Sequence, residues 1–277
     1  MTEKRTTMEI HMAVKTAGIK AVDLLVEAGG LSRGQVKKAM KNGAAWLERR
    51  GHVQRLRRAD RRLLSGDELH LYYNAHIQQQ MLPPAQLIAD EGDYSVWFKP
   101  SGMYSQGSKW GDHCTVGRWA EQHLRPQRNA FVVHRLDRAA SGLMLLAHSK
   151  KAAAALSALF RQRTVNKQYR VKVWGAFPGD NVRIEAPLDG KPAVSGVSLL
   201  NYDSGRNQSL LQVGIDTGRK HQIRRHLADK GFPVVGDRLY GRGDREQGLQ
   251  LQAVYLAFDC PLSGERQEYR LPEALII

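Results

Sequence analysis

The sequence predicts an α+β fold: a mixed, largely antiparallel sheet flanked by helices, preceded by a small N-terminal α/β domain. Strand-like segments recur at irregular spacing with few helices between them, which disfavours a doubly wound parallel sheet. The length of 277 residues accommodates one large and one small domain. A polar stretch at Gln78–Gln80, followed by Pro83-Pro84, is typical of a linker. We therefore expect domains over residues 1–80 and 86–277.

Positive charge is densest in the predicted N-terminal domain. The whole chain carries 42 Lys and Arg against 27 Asp and Glu, a formal charge of +15. Residues 1–80 alone carry 15 basic and 8 acidic side chains. Such an excess favours a polyanionic partner, which is usually nucleic acid and less often an anionic membrane.

A cationic amphipathic helix is predicted to begin after Ser32 and to end at Asn42-Gly43. Its apolar side comprises Val36, Ala39 and Met40, and its basic side comprises Arg33, Lys37, Lys38 and Lys41. An ordinary solvated face is the alternative interpretation of such a helix. We favour contact with RNA, because seven arginines follow within fourteen residues and few acids offset them, namely Arg49, Arg50, Arg55, Arg57, Arg58, Arg61 and Arg62.

Turn signals and apolar runs predict the remaining elements. The segment Gly66–Tyr72 is typical of a turn that leads into a strand. In the second domain, strands are predicted at 94–98, 131–133, 143–147, 168–173, 209–215 and 249–258, and helices at about 115–124, 150–162 and 219–230. Ser149 is the predicted N-cap of the alanine-rich helix, and Gly231 is the predicted stop of the last one.

The run His134–Arg138 places one carboxylate among cationic side chains at a predicted strand-to-strand turn. A surface ion pair, worth roughly 0–1 kcal/mol, is the ordinary interpretation of an Arg-x-Asp-Arg run. Apolar segments at 131–133 and 143–147 instead anchor this turn in the core on both sides. Arg135 and Asp137 would project to the same side of an extended segment, and neighbouring guanidinium groups favour an ionised carboxylate. Such a group suits a nucleophile or an electrostatic stabiliser, and it is unsuited to a general acid.

The block Thr217–Arg224 follows a predicted strand and opens a predicted helix, which gathers backbone N–H groups and cations at a positive helix end. For His221 we prefer a hydrogen-bonded structural role to that of a general base. Arg224 is expected to face the core beside a carboxylate, and Asp137 is the candidate partner. Tyr169 alternates with polar neighbours in a predicted strand. It is therefore either a core tyrosine or, on the floor of a cleft, a platform for a flat base.

The sequence lacks the motifs of common nucleotide and metal sites. No phosphate loop, strand-linked Gly-x-Gly-x-x-Gly, Gly-x-Ser-x-Gly or His-Glu-x-x-His pattern occurs. His221 and His226 would point about 140° apart on a helix, too far to share a metal ion. We therefore predict no nucleotide cofactor and no metal.

Compartment signals are also missing from the sequence. No apolar run approaches the roughly 20 residues that span a bilayer, and the first 30 residues lack the apolar core of a signal peptide. The two cysteines, Cys114 and Cys260, cannot build a disulfide framework. We therefore expect a cytoplasmic protein without membrane contact.

Three blocks resemble the RluA-type RNA pseudouridine synthases and occur in that family's order. Val96–Met103 is similar to its opening Asp-Lys-Pro-x-Gly motif, with Phe98 at the usual Asp position. His134–Leu143 is similar to its catalytic motif, with Ala140 where Thr is common. Thr217–Arg224 is similar to the third block, and the resemblance continues through Gly236-Asp237, Tyr240-Gly241 and Leu249–Pro261. In the N-terminal part, Leu31–Gly43 together with Gly66–Leu69 resembles the small RNA-binding fold named after ribosomal protein S-four.

The resemblance implies the pseudouridine synthase fold and an enzyme that isomerises uridines in RNA without a cofactor. Asp137 would be the catalytic aspartate, held by Arg224. Tyr169 would stack on the extracted base, and Arg135 would fill the gap that the flipped nucleotide leaves. The further RNA contacts that we expect are Arg138, Lys167, Arg219, Lys220 and His221 in the catalytic domain, and Arg33, Lys37, Lys38, Lys41, Arg49 and Arg50 in the N-terminal domain.

Ribosomal RNA is the favoured substrate and transfer RNA the alternative, because an added RNA-binding domain multiplies affinity for a large structured RNA. A non-catalytic RNA-binding or ribosome-assembly factor is the rival hypothesis, and such a protein would not need Asp137. A hydrolase with an aspartyl nucleophile ranks lower, because no second acid–base group is evident. The sequence does not define the oligomeric state, and a monomer is the working expectation.

Overall fold

The computed structural model describes residues 7–179, 181–242 and 247–277. The chain divides into two compact units. The first unit contains the chain up to Leu82 together with Gln106–Trp119, and the second unit contains Pro83–Ser105 and Ala120–Ile277. The first division, after Leu82, falls within the boundary that the sequence predicts between residues 80 and 86.

The segment Gln106–Trp119 belongs to the first unit, although the sequence predicts it in the second. Its backbone carbonyl groups accept hydrogen bonds from side chains of the first unit. Trp46 Nε1 donates to the carbonyl oxygen of Lys109 at 3.1 Å, and Gln78 Nε2 donates to that of Trp110 at 3.1 Å. Local sequence patterns do not contain these long-range contacts. The composition of the linker therefore predicts the division after Leu82 but not the return of the chain to the first unit at Gln106–Trp119.

The first unit is built on a sheet of order β1-β4-β2-β3, whose described pairs are all antiparallel. Its elements are β1 Thr7–Ala13, α1 Ala21–Gly29, α2 Arg33–Lys41, β2 Ala45–Arg49, β3 His52–Arg55, β4 Glu68–Asn74 and α3 Ala75–Gln79. Both α1 and α2 contribute to one apolar core with the strands. In α2, Ser32 is the N-cap that the sequence predicts. Its side chain accepts from the backbone N–H of Gln35 and the Gln35 side chain accepts from that of Ser32, which completes a capping box.

The second unit is built on a mixed sheet of order β10-β11-β12-β9-β13-β8-β6-β5, with β14 paired to β13 and β7 paired to β8. Its strands are β5 Gln86–Asp90, β6 Tyr94–Lys99, β7 Phe131–Val132, β8 Ser141–Ala147, β9 Asn166–Trp174, β10 Val182–Glu185, β11 Val194–Asp203, β12 Gln208–Ile215, β13 Leu251–Asp259 and β14 Arg266–Arg270. Its helices are the end of α4 Val116–His123, α5 Lys150–Gln162, α6 Gln222–Asp229 and a 3₁₀ turn at Glu273–Leu275. Among the described pairs only β13 and β8 run parallel, which confirms the predicted largely antiparallel α+β fold.

Strand β13 brings the predicted site residues together at the centre of this sheet. Ala253 pairs with Tyr169 of β9 on one side and with Gly142 of β8 on the other. Gly142 has φ +117, and a Cβ atom there would lie 2.2 Å from the carbonyl oxygen of Ala253. Only glycine therefore permits this close approach, which fixes the turn before β8 beside β13.

The strands and helices predicted in the second domain all occur, with small shifts at their ends. One start is wrong: the helix predicted from residue 219 begins at Gln222. His221 has a left-handed backbone with φ 55, so residues 217–221 form a loop and not a first helical turn. The sequence analysis did not predict β1, α1, β2, β3, α3, β5, β10, β11 or β14.

Candidate active site

An open cleft of about 490 Å³ lies in the second unit. Three segments form most of its wall: the turn before β8, the strand β9 and the loop that leads into α6. The lining residues used below are Arg135, Asp137, Tyr169, Arg219, His221 and Arg224. The structure thus brings together the three side chains to which the sequence assigns chemistry.

Asp137 is held at the wall of this cleft by Arg224. Its Oδ2 atom accepts a hydrogen bond from Arg224 Nη1 at 3.0 Å, and its Oδ1 atom lies 3.7 Å from His221 Nε2. The Asp137 side chain is 26% exposed and that of Arg224 is 6% exposed. The carboxylate is therefore oriented from the protein side while it remains open to a ligand.

Asp237 anchors the other side of the Arg224 guanidinium. Arg224 donates from Nε to Asp237 Oδ2 and from Nη2 to Oδ1, both at 2.7 Å. The same Oδ1 atom accepts the backbone N–H groups of Leu239 at 2.9 Å and Tyr240 at 3.1 Å. Burial would raise the pKa of Asp237, but Arg224 and these N–H groups outweigh it and lower the pKa. The result is a linear chain from Asp237 through Arg224 to Asp137.

Lys99 supports the turn that carries Asp137 from behind. Its side chain is fully buried, and Nζ donates to the carbonyl oxygens of Ala140 at 2.6 Å, Met103 at 2.9 Å and Pro100 at 3.1 Å. Burial lowers the pKa of Lys99 to about 7, and the charge of Asp137 opposes this shift. The sequence analysis placed Lys99 only within the first family block and assigned it no role.

Tyr169 presents its side chain to the cleft from β9. Burial, followed by the negative charge of Asp137, raises the pKa of its hydroxyl above the ordinary value. The phenol is therefore neutral at physiological pH, and its ring offers an uncharged flat surface beside Asp137. This placement agrees with a platform, the second of the two interpretations that the sequence leaves open.

The loop before α6 is tied down by Gln222. Its Oε1 atom accepts from Thr217 Oγ1 at 2.6 Å and from the backbone N–H of Arg219 at 3.1 Å, while its Nε2 atom donates to the carbonyl oxygen of Val194 at 2.9 Å. Arg219, Lys220 and His221 line the cleft from this loop and not from a helix. The prediction that residues 219–221 belong to the helix is therefore wrong, although these residues directly precede its N-terminus and line the cleft.

The histidines of this region have separate hydrogen-bond partners. His221 Nδ1 lies 3.0 Å from Tyr240 Oη. His226 is buried and lies 3.0 Å from both Ser195 Oγ and the carbonyl oxygen of Ala186. The two rings thus serve different contacts.

The predicted RNA contacts outside the cleft differ in how available they are. Lys37, Lys38 and Lys41 are exposed on α2, and Arg50 is exposed in the turn after β2. Arg33 is paired with Asp23 at the surface. Arg138 lies over the ring of Tyr104 and donates to the carbonyl oxygen of Gly102 at 3.1 Å.

The expectation that few acids offset the arginine-rich segment is wrong for three of its members. Arg49 makes two hydrogen bonds with the buried Asp67, at 2.7 and 2.6 Å. Arg55 and Arg57 both pair with Asp112, at 3.1 and 2.5 Å. Asp112 lies more than fifty residues further along the chain, so sequence proximity could not reveal it. These three guanidinium groups stabilise the first unit, which leaves Arg50, Arg58, Arg61 and Arg62 as its exposed arginines in this segment.

One group of side chains in the described residues has the spacing of a metal site. Glu48, Glu68 and His70 lie on neighbouring strands of the first unit, and their candidate ligand atoms lie within 4.8 Å of one another. None of them lines the cleft of the second unit. The absence of a metal from the reaction stays a prediction.

Comparison with known proteins identifies the class to which this fold and cleft belong. A family model described as RNA pseudouridylate synthase matches residues 93–229. The dual-specificity RNA pseudouridine synthase RluA of Vibrio vulnificus is 32% identical over 211 residues, which cover 66% of this chain and 83% of that protein. The ribosomal large subunit pseudouridine synthase D of Xanthomonas campestris is 29% identical over 282 residues, with 88% and 82% covered.

Solved structures agree with this result. The human RNA pseudouridylate synthase domain containing 1 superposes with a TM-score of 0.60 at 25% identity, covering 71% of this chain and 88% of that one. The chain therefore belongs to the RluA-type RNA pseudouridine synthases. It is an enzyme that isomerises uridine in RNA to pseudouridine. The likeness of the first unit to the fold named after ribosomal protein S-four stays a prediction. Within the described residues, no helix is both long and apolar enough to cross a bilayer.

Proposed function

We propose that this enzyme isomerises specific uridines of structured RNA by flipping the target nucleotide into the cleft around Asp137. The observation that carries this proposal is the chain Asp237–Arg224–Asp137, in which a buried guanidinium orients one carboxylate at an open wall. The reaction ends with the same atoms that it starts with, but it moves protons: one leaves the uracil carbon that forms the new bond, and one is gained at the uracil nitrogen. One bond, from the ribose carbon to the uracil nitrogen, is exchanged for a bond to a uracil carbon.

The glycosidic bond of a stacked nucleotide cannot be reached by Asp137 inside a helix. Flipping it out costs a few kcal/mol, and stacking on an aromatic ring returns roughly 1–3 kcal/mol. Tyr169 is the aromatic ring beside Asp137 in the cleft, so it is proposed to stack on the uracil. Arg135 is exposed at the same cleft and is proposed to occupy the gap in the RNA. The isomerisation needs no cofactor, because the proton lost from carbon is matched by one gained at nitrogen.

Ribosomal RNA is the proposed substrate and transfer RNA the alternative. The printed name of the Xanthomonas relative refers to the large ribosomal subunit, and the Vibrio relative is described as having dual specificity. The exposed lysines of α2 give the first unit a cationic surface that favours RNA. A second binding surface favours an RNA large enough to engage both. We propose the cytoplasm as the location of the reaction.

The test is pseudouridine mapping on transcribed ribosomal RNA and transfer RNA with wild-type protein and Asp137→Asn. We expect the yield of pseudouridine to fall by about 10³-fold or more in Asp137→Asn. The affinity for RNA should stay within about threefold of the wild-type value, a change of less than about 1.4 kcal/mol. Asp259→Asn is the matched control, because the Asp259 side chain is 83% exposed and lines neither this cleft nor its neighbour; it should retain full activity. Equal product from both variants would refute the role of Asp137. RNA binding without product from the wild type would favour the rival non-catalytic factor.

A further inference from the structure

A second cleft of about 400 Å³ adjoins the first and shares part of its wall. Both clefts are lined by Arg135, Tyr169 and Arg219. The second cleft extends from this shared wall to the end of α5 and the start of β9. Its own lining includes His134, Phe160, Arg161, Arg163 and Lys167.

The second cleft is strongly cationic. Five of its lining residues are Arg or Lys, and no described lining residue is acidic. The side chains of Arg161, Arg163 and Lys167 have no hydrogen bond or ion pair with another described residue, in contrast to Arg49, which Asp67 neutralises. Lys167 is partly buried, and burial lowers its pKa. The charge of Asp216 opposes this shift, but no ion pair or hydrogen bond joins the two side chains. A partly desolvated cation without a paired carboxylate is stabilised when an anion binds.

His134 adds an N–H donor, because its hydrogen bond to the backbone fixes the tautomer of the ring. Its Nε2 atom accepts the backbone N–H of Leu145 at 2.9 Å, so the ring hydrogen must lie on Nδ1. Burial lowers the pKa of His134 to about 3, which keeps the ring neutral. The ring stacks on Phe160 with centroids 4.3 Å apart and planes inclined by 14°. The cleft therefore combines an N–H donor, a flat aromatic wall and free cations.

We propose that this second cleft binds the phosphodiester of a nucleotide adjacent to the target uridine in the same RNA strand, through Lys167 and Arg163. This proposal rests on the proposed function, because it requires the target nucleotide to occupy the first cleft. A strand that enters the first cleft passes Arg135 and Tyr169, the shared wall, and so brings its neighbouring nucleotide to the second. The free cations suit a phosphate, and the His134 N–H suits an oxygen acceptor of the same nucleotide.

The proposal is tested by binding alone, in the Asp137→Asn background, so that turnover is not needed. The probe is the shortest RNA fragment that this variant protects in footprinting. Each phosphate of the protected strand is replaced in turn by an uncharged methylphosphonate. We expect one replacement to weaken binding roughly tenfold, the effect of losing one charge-assisted hydrogen bond. In Lys167→Met or Arg163→Ala the same replacement should have little further effect.

Lys151→Met is the matched control, because Lys151 is exposed at the opposite end of α5. Lys151→Met should leave the effect of each methylphosphonate replacement on RNA affinity unchanged. Lys167→Met should in addition reduce the slope of log K against log salt by about 0.7. The proposal would be overturned if the loss of RNA affinity caused by Lys167→Met added to that of every methylphosphonate replacement. It would also be overturned if Lys167→Met and Lys151→Met responded equally to each replacement. Arg163→Ala carries the test if Lys167→Met fails to fold, since Arg163 is exposed. Coupling without any product from the wild type would refute the proposed isomerisation and, with it, the assignment of the neighbouring nucleotide as a target uridine; only a phosphate contact at the second cleft would remain.

Discussion

The most demanding prediction concerns Asp237, which never reaches the cleft yet should control the reaction. In Asp237→Asn the amide oxygen can keep the contacts now made by Oδ1, with Arg224 Nη2 and the backbone N–H groups of Leu239 and Tyr240. The amide NH₂ would then face Arg224 Nε, which now donates to Oδ2 at 2.7 Å. A hydrogen bond would be replaced by two opposed donors.

The magnitude follows from burial. The Asp237 side chain is 0% exposed and that of Arg224 is 6% exposed, so water cannot replace the lost contact. One charge-assisted hydrogen bond is worth about 1.5–3 kcal/mol, and a buried charge left without its partner costs about 3–5 kcal/mol. We expect the free energy of unfolding to fall by about 3 kcal/mol. Because Arg224 also orients Asp137, a shift of about 1 Å should lower turnover by roughly 10²-fold.

The assays are denaturant unfolding and single-turnover pseudouridine formation at saturating RNA. Asp189→Asn is the matched control, because Asp189 pairs with Arg225, the next residue of α6, but is 70% exposed. That variant should lose no more than about 1 kcal/mol of stability and no activity. If Asp237→Asn matched Asp189→Asn in both assays, the chain Asp237–Arg224–Asp137 could not be what orients the catalytic carboxylate.

Two other predictions concern the buried lysine and the cationic helix. The pKa of Lys99 is about 7 in the fold against an ordinary value of 10.5, so the unfolded state binds more protons between these two pH values. The stability of the wild type relative to Lys99→Met should therefore rise with pH from about 7 to 10.5, by up to roughly 1.4 kcal/mol per pH unit, and a constant difference in denaturant unfolding would contradict this. Alanine at the three exposed lysines of α2 should reduce the slope of log K against log salt for RNA binding by about 2; these residues are Lys37, Lys38 and Lys41. Alanine at the control residues Lys150, Lys151 and Lys230 should leave this slope unchanged. An equal slope for both sets would remove α2 from the RNA interface.

Local patterns predicted several elements of each unit because each has a strong local cause. The strands β6, β8 and β13 are continuous apolar runs, and α2 and α5 begin at serine caps that accept a backbone N–H. The strands β10 and β14 have weak and mostly exposed sequences. They form because neighbouring strands offer hydrogen-bond partners, and a single-sequence pattern does not contain that information. The same limit explains why Gln106–Trp119 was predicted in the wrong unit.

The candidate site was predictable to the extent that its residues stand in short motifs. Asp137 and Arg224 could be paired because each needs an opposite charge in an apolar surrounding. Asp237 and Lys99 were not assigned roles, since their partners are a side chain 13 residues away in one case and backbone carbonyl groups in the other. Carbonyl acceptors leave no mark in a sequence. The start of α6 was misplaced because His221 adopts a backbone conformation that is uncommon for histidine.

The charges around the cleft are arranged to resolve a conflict. RNA repels carboxylates, yet the proposed reaction needs one beside the target nucleotide. At and behind the cleft wall, Asp137 and Asp237 are balanced by Arg224 and Lys99, so this cluster carries little net charge when Lys99 is protonated. The rim, in contrast, carries cations without partners, among them Lys167 and Arg163. The internal pairs hold the carboxylate in place, and the unpaired rim attracts the phosphates. A cation at the rim should therefore change binding and its salt dependence, while one behind the wall should change stability and turnover.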